Sequence, residues 1–220
     1  MHILCIETAT TVCSVCVTDE EKVLAIRELN QGYTHAENLH VFIGEILKEA
    51  GLAWKDISAL AVSKGPGSYT GLRIGVSAAK GFCYALNIPL ISIDTLAAMT
   101  ANVVSEDIYY CPMLDARRME VYCAVYDKDL NEKLPVQALV LDENSIAQFK
   151  LDKPVCFFGE GMPKAKPLLA NLPGAKFMEQ IVPSSKFVSQ LAVKKYLSKE
   201  FEDVALFEPF YLKDFFTKGS

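Results

Sequence analysis

Gly65-Pro66-Gly67-Ser68-Tyr69-Thr70-Gly71-Leu72-Arg73-Ile74-Gly75 is the segment whose residue types could most directly hold a ligand. An apolar run at 59–62 leads into it and a helical pattern leaves it. A strand, a glycine loop and a helix N-terminus together present free backbone N–H groups, the arrangement that holds a phosphate. The spacing departs from the common phosphate loops. A Walker loop needs Lys and then Ser or Thr after its last glycine, but Leu72 and Arg73 follow Gly71, and G-x-G-x-x-G is not matched. Gly65, Gly67 and Ser68 would line such a site, with Glu7. A structural reading accounts for more of the pattern. Ser68 or Thr70 caps the helix. Gly71, Gly75 and Ala79 recur every four residues, with Ala78 and Gly81 beside them, and make a smooth stripe that another helix can approach. Glycine inside a helix costs about 1 kcal/mol relative to alanine, and close packing offsets that cost.

Glu7, Asp94 and Asp115 each stand at the end of an apolar run. Three converging carboxylates could hold a hard cation; alternatively, each caps nearby backbone amides. Capping is the reading for Asp94 and Asp115, and both readings stay open for Glu7. Cys13 and Cys16 form a C-x-x-C, but the segment 12–18 reads as a strand, where residues three apart point to opposite faces. With no second such pair, neither a zinc site nor a redox pair is expected. His35 and His40 are five apart and match no zinc-hydrolase pattern, and there is no G-x-S-x-G elbow.

These residues need elements to position them. Segments 3–7, 12–18 and 23–29 read as strands, with a charged hairpin turn at 19–22. A helix is predicted over 34–50, with Thr34 and Glu37 as a capping box and Gly51 as its stop. Its stripe of Ala36, Leu39, Ile43, Ile46 and Ala50 suits a sheet or a seam against another helix. A strand at 59–62, a helix to about 87, a strand at 88–93 and a short helix to about 104 complete an order of β-β-β-α-β-α-β-α. That order fits one RNase-H-like lobe, the unit of actin and the sugar kinases; by itself it says little about function. The pattern breaks at Ser105-Glu106-Asp107, giving lobes at 1–105 and 106–220. The second lobe has strands at 108–115, 119–126, 134–141 and 154–158, a short helix opened by Asp142, and a helix capped by Ser184 or Ser185. The aromatic-rich end, about a dozen residues, is expected to pack back on the first lobe.

Fifty-one per cent of the 220 residues are apolar or aromatic, enough for two small cores, and the net charge of −5 argues against a long nucleic-acid track on this chain's own surface. Most of the seven cysteines sit inside apolar runs, as free thiols do in reducing compartments. With no basic leader and no membrane-length apolar run, a cytoplasmic protein is expected.

Together the blocks become specific. Residues 3–10 (I-L-C-I-E-T-A-T), His35-Ala36-Glu37-Asn38-Leu39, the glycine block 65–75, Ala79-Lys80-Gly81, Asp115-Ala116-Arg117, Glu120-Val121-Tyr122 and Pro209-Phe210-Tyr211-Leu212 resemble, in order and over nearly the whole chain, the bacterial TsaB (YeaZ) family. Glu7 stands where that family usually has aspartate, and Lys213 where arginine often follows. The resemblance implies an α/β fold of two RNase-H-like lobes in the actin and sugar-kinase (ASKHA) superfamily. It implies a non-catalytic partner subunit in making threonylcarbamoyladenosine next to the tRNA anticodon, beside a catalytic TsaD-like subunit and a TsaE-like ATPase. Transfer RNA would be met only through that complex. The catalytic relatives carry H-x-x-x-H where this chain has Thr95 and Met99, neither able to replace histidine on a transition metal. The first-lobe helices would form the partner face, through Ala36, Leu39, Ile43, Ile46, Gly71, Gly75, Ala78, Ala79 and Phe82. A homodimer would use the same face. No tightly bound cofactor is implied, with ATP or ADP placed only at the assembled interface. The alternative is a nucleotide-dependent phosphotransferase or metallopeptidase-like enzyme of the same fold.

Overall fold

The computed structural model describes residues 1–32 and 34–213. The first sheet contains β1 (Ile3–Glu7), β2 (Val12–Thr18), β3 (Val23–Asn30), β4 (Ala59–Gly65) and β5 (Leu90–Asp94), in the order β3-β2-β1-β4-β5. β1 pairs antiparallel with β2 and parallel with β4. A strand central to such a sheet is covered on both faces, which is why 3–7 reads as one apolar run rather than an alternation. The parallel steps require crossovers, supplied by α1 (His35–Glu49) and α2 (Tyr69–Leu86).

The sheet's two faces have separate cores. On one, Leu39, Ile43 and Ile46 of α1 and Val76, Ala79 and Cys83 of α2 pack with Leu4, Ile6, Cys13 and Val62. On the other, Val188 and Ala192 of α5 (Ser185–Ser198) pack with Ile3, Cys5, Cys16 and Ile91. Cys13 and Cys16 thus lie on opposite faces, as period-two geometry requires, and both thiols are free and buried.

The second sheet contains β6 (Tyr109–Asp115), β7 (Glu120–Tyr126), β8 (Glu132–Val140), β9 (Val155–Phe158) and β10 (Lys176–Met178), in the order β10-β9-β6-β7-β8. Its three-strand meander and two parallel strands repeat the plan of the first sheet, so the chain folds as two RNase-H-like lobes. α3 (Thr95–Ala101) lies between them, with Leu96 and Met99 buried against Tyr110, Leu114 and Phe158.

Three expectations need correction. α5, which the division at 105/106 puts in the second lobe, covers the first sheet; its apolar stripe identifies a buried helix but not which sheet buries it. α4 (Met162–Leu169) and β10 were not read from the sequence, because Pro163 and Pro167 mask the helical pattern and β10 is three residues long. The capping box of α1 is not made: the Thr34 side chain forms no cap bond, and its backbone carbonyl instead accepts from the amides of Glu37 and Asn38.

Candidate functional site

The glycine block sits where β4 passes into α2. Ser68 caps that helix, accepting from the Gly71 amide at 3.3 Å. What fills the loop is the chain itself. The Ser68 amide donates to the Ala9 carbonyl at 2.6 Å, and the Thr8 hydroxyl donates to the Gly71 carbonyl at 2.8 Å. A methyl group at Gly67 would collide with the Ala9 carbonyl, one at Gly71 with the Thr8 carbonyl, and one at Gly75 with the Thr8 hydroxyl. The small residues therefore admit the β1–β2 turn. Gly65 has φ +113°, and a methyl group there would lie 2.7 Å from the Phe210 carbonyl, so the end of the chain covers the loop's other side.

His35, the first residue of α1, completes this cluster. It is buried, and Nε2 lies 2.8 Å from the Thr10 carbonyl, which assigns the proton to Nε2. Burial holds its pKa below the ordinary imidazole value. The sequence marked His35 as part of a block that carries the resemblance and as failing a metal pattern; its part in packing the turn had no spacing signal.

Glu7 closes the turn from below. It is 1% exposed, and its Oε1 accepts from the Ala9 amide at 2.6 Å and the Ser63 hydroxyl at 2.9 Å. Burial raises its pKa to about 7, against the lowering pull of those hydrogen bonds. Asp94 caps α3 by accepting from the Ala97 amide at 2.9 Å. Asp115 accepts from the Arg117 amide at 2.6 Å and pairs with Lys164 at 2.7 Å. Among the described residues, no three His, Cys, Asp or Glu side chains lie close enough together to hold a metal ion. Met99 is buried between the lobes, and the Thr95 hydroxyl is buried with no hydrogen-bond partner among the described residues.

The residues assigned to a partner face divide in two. Leu39, Ile43, Ile46, Gly71, Gly75 and Ala79 are buried in the first lobe and have no surface to offer. The same spacing serves a helix on its own sheet and a helix on a partner, and here the sheet takes it. Ala36, Ala78 and Phe82 keep exposed surface. Val41 on α1 (55% exposed) and Tyr84 on α2 (85%) are exposed as well, and the Trp54 ring stacks on Phe82 at 4.6 Å. Among the described residues, no atom outside the local backbone lies within 4 Å of a side-chain position at Gly44 or Gly81, so both open outward.

The family model described as TsaD, tRNA N6-adenosine threonylcarbamoyltransferase, matches residues 22–216. The TsaB protein of Bacillus subtilis, a tRNA threonylcarbamoyladenosine biosynthesis protein, is 31% identical over 219 residues, covering 97% of this chain and 94% of that one. The chain belongs to the TsaB family. The TsaB protein of Haemophilus influenzae is 30% identical with the same coverage. The solved structure of YeaZ from Pseudomonas aeruginosa superposes with a TM-score of 0.82 at 23% identity, over 96% of this chain and 99% of that one, a likeness of fold. Several residues that carry the TsaB resemblance, Thr8, Ala9, His35, Gly67, Gly71 and Gly75, are those that pack the first turn into the glycine loop. No described helix is long and apolar enough to cross a membrane.

Proposed function

We propose that this chain is the non-catalytic partner subunit that supports a TsaD-like catalytic subunit in threonylcarbamoylation of the tRNA adenosine next to the anticodon. The observation that carries the reading is the outer face of α1 and α2. Ala36, His40 and Gly44 on one helix and Ala78, Gly81 and Phe82 on the other carry no formal charge and keep exposed surface, with His40 and Phe82 meeting at 5.6 Å between ring centroids and exposed Tyr84 one turn past Gly81. Small residues let a second pair of helices approach closely, and the aromatic rings supply apolar area at the centre of the contact. Surfaces of this kind on a chain with a net charge of −5 suit a protein partner better than an RNA backbone.

Two features favour a supporting role over independent catalysis. The glycine loop is filled by Ala9 on one side and Phe210 on the other, and Thr95 and Met99 lie inside the protein. A TsaE-like ATPase, ATP or ADP at the assembled interface, and tRNA reached only through the complex belong to the same proposal, as does a homodimer through the same face when the partner is absent. Cytoplasmic placement goes with a tRNA substrate. Reconstitution tests the reading: TsaD-like and TsaE-like proteins of the same organism, with the synthase of threonylcarbamoyl-adenylate, are assayed for tRNA modification with and without this chain. Modification that requires this chain, which alone modifies nothing, supports the proposal. Equal modification without it refutes the role.

A further inference from the structure

The lobes touch through α3, whose Leu96 and Met99 share a cluster with Tyr122, Ala124 and Tyr126 of β7, and the chain crosses between the lobes again at 178–185, where Met178, Ile181 and Phe187 join that cluster. A crevice of about 300 Å³ also lies between the lobes, lined by Lys64 and Asp94 from the first and Glu132 and Val136 from the second, with Phe210 across it. Packed lobes joined in this way rock about their shared cluster, as hinged two-lobed proteins do.

The segment 202–213 supplies a second attachment. It leaves β5 where the Glu202 amide donates to the Leu90 carbonyl at 2.9 Å. It crosses α2, where Lys80 Nζ donates to the carbonyls of Ala205 and Phe207 at 3.1 and 2.8 Å. At the glycine loop the Phe210 amide donates to the Lys64 carbonyl at 2.7 Å. Arg73 donates to the Tyr211 hydroxyl at 3.2 Å while lying 4.0 Å over the Tyr69 ring. The segment then reaches the second lobe, where Lys213 pairs with Glu120 at the start of β7. Glu120 and Tyr126 are the two ends of one seven-residue strand, about 20 Å apart at the usual rise. The cluster reaches along β7 from Tyr126 to Tyr122, and the Lys213–Glu120 pair holds the strand beyond it, at its other end.

We propose that the segment 202–213 is a latch, tying the Glu120 end of β7 to the first lobe and holding the crevice between the lobes at one opening. The latch does not depend on how the chain meets its partner.

Spin labels on the full chain test this. All seven native thiols are buried, and burial pushes Cys13 to about 11 and Cys83 to about 12, so labelling at neutral pH selects new surface thiols. Gly81→Cys on α2 and Met119→Cys beside β7 report the distance between lobes. With the latch intact the distance distribution is single and narrow. With Tyr211→Ala and Lys213→Ala its width rises at least about twofold, while the core thiols stay unlabelled. Glu120→Ala cuts the same tie with the tail sequence intact and decides the matter should the double variant expose its core thiols. A distribution equally narrow after the tie is cut, or already broad in the intact chain, overturns the latch.

Discussion

The carbonyl of Ala9 and the amide of Ser68 meet at 2.6 Å, joining the first turn of the chain to the cap of α2. Around that bond the glycines of the loop face the chain's own backbone. A sequence block that could be read as a phosphate cradle or a partner seam is, in this fold, the packing that sets α2 on the first sheet.

Substitution inside that contact therefore acts on stability. Gly71→Ala places a methyl group against the Thr8 carbonyl and is expected to destabilise the isolated chain by about 2–4 kcal/mol. Ile43→Asp buries a charge in the same core and behaves likewise. Urea unfolding checks both; a Gly71→Ala protein as stable as the parent would refute this packing.

The outer face gives the opposite sign. Gly44 and Gly81 lie within helices with open space beyond them. Gly44→Arg and Gly81→Arg should each raise stability slightly, by up to about 1 kcal/mol from helix propensity. The same changes set a cation in the proposed interface and should weaken binding to a TsaD-like subunit by at least about tenfold. Calorimetric titration with that subunit reads the loss; unchanged affinity removes the face from the interface.

Glu7 makes stability depend on pH. Its folded pKa of about 7 lies above the ordinary 4.5, so the native state holds a proton that the unfolded chain releases. Stability is then highest below about pH 4.5 on this account and falls as pH rises to 7, by about 3 kcal/mol in total. Glu7→Gln keeps an oxygen for the Ala9 amide and the Ser63 hydroxyl, and should remove most of that slope and be the more stable protein at pH 8. A parent whose Glu7-dependent stability is flat over this range would contradict the assignment.

The Thr95 hydroxyl is buried without a hydrogen-bond partner among the described residues. Thr95→Val replaces it with a methyl group of similar shape and should stabilise the chain by about 1 kcal/mol. Reconstituted tRNA modification should stay at the parental level, because the proposal gives this hydroxyl no chemistry. Loss of modification with the fold intact would give Thr95 a functional part.

Much of the fold was legible because strands obey a period of two and buried central strands run apolar without a break. Cys13 and Cys16 fell on opposite faces for that reason, and Ser68 and Asp94 capped α2 and α3 as their positions suggested. What periodicity does not carry is the identity of the neighbour. The stripe of α1 and the small residues of α2 marked a close contact, yet not that the first sheet and the Thr8–Ala9 turn make it. α5 was legible as a buried helix but not as a cover for the first lobe. The aromatic end was noted, and its contacts through Phe210 and Tyr211 lie where the chain returns to the glycine loop; residues 214–220 lie outside the described residues. Lys80 and Arg73, which hold that segment, stand in blocks that carry the resemblance, but nothing in their spacing pointed to this contact, since a lysine and an arginine on a helix ordinarily face water.

The most direct measurement of the central claim is tRNA threonylcarbamoylation in the reconstituted mixture, comparing the parent with a chain carrying both Gly44→Arg and Gly81→Arg. The account predicts that the parent supports modification and that the folded double variant lowers its rate by at least about tenfold. Full modification with the double variant would contradict it, since a chain that works with its outer α1–α2 face blocked does not act through that face.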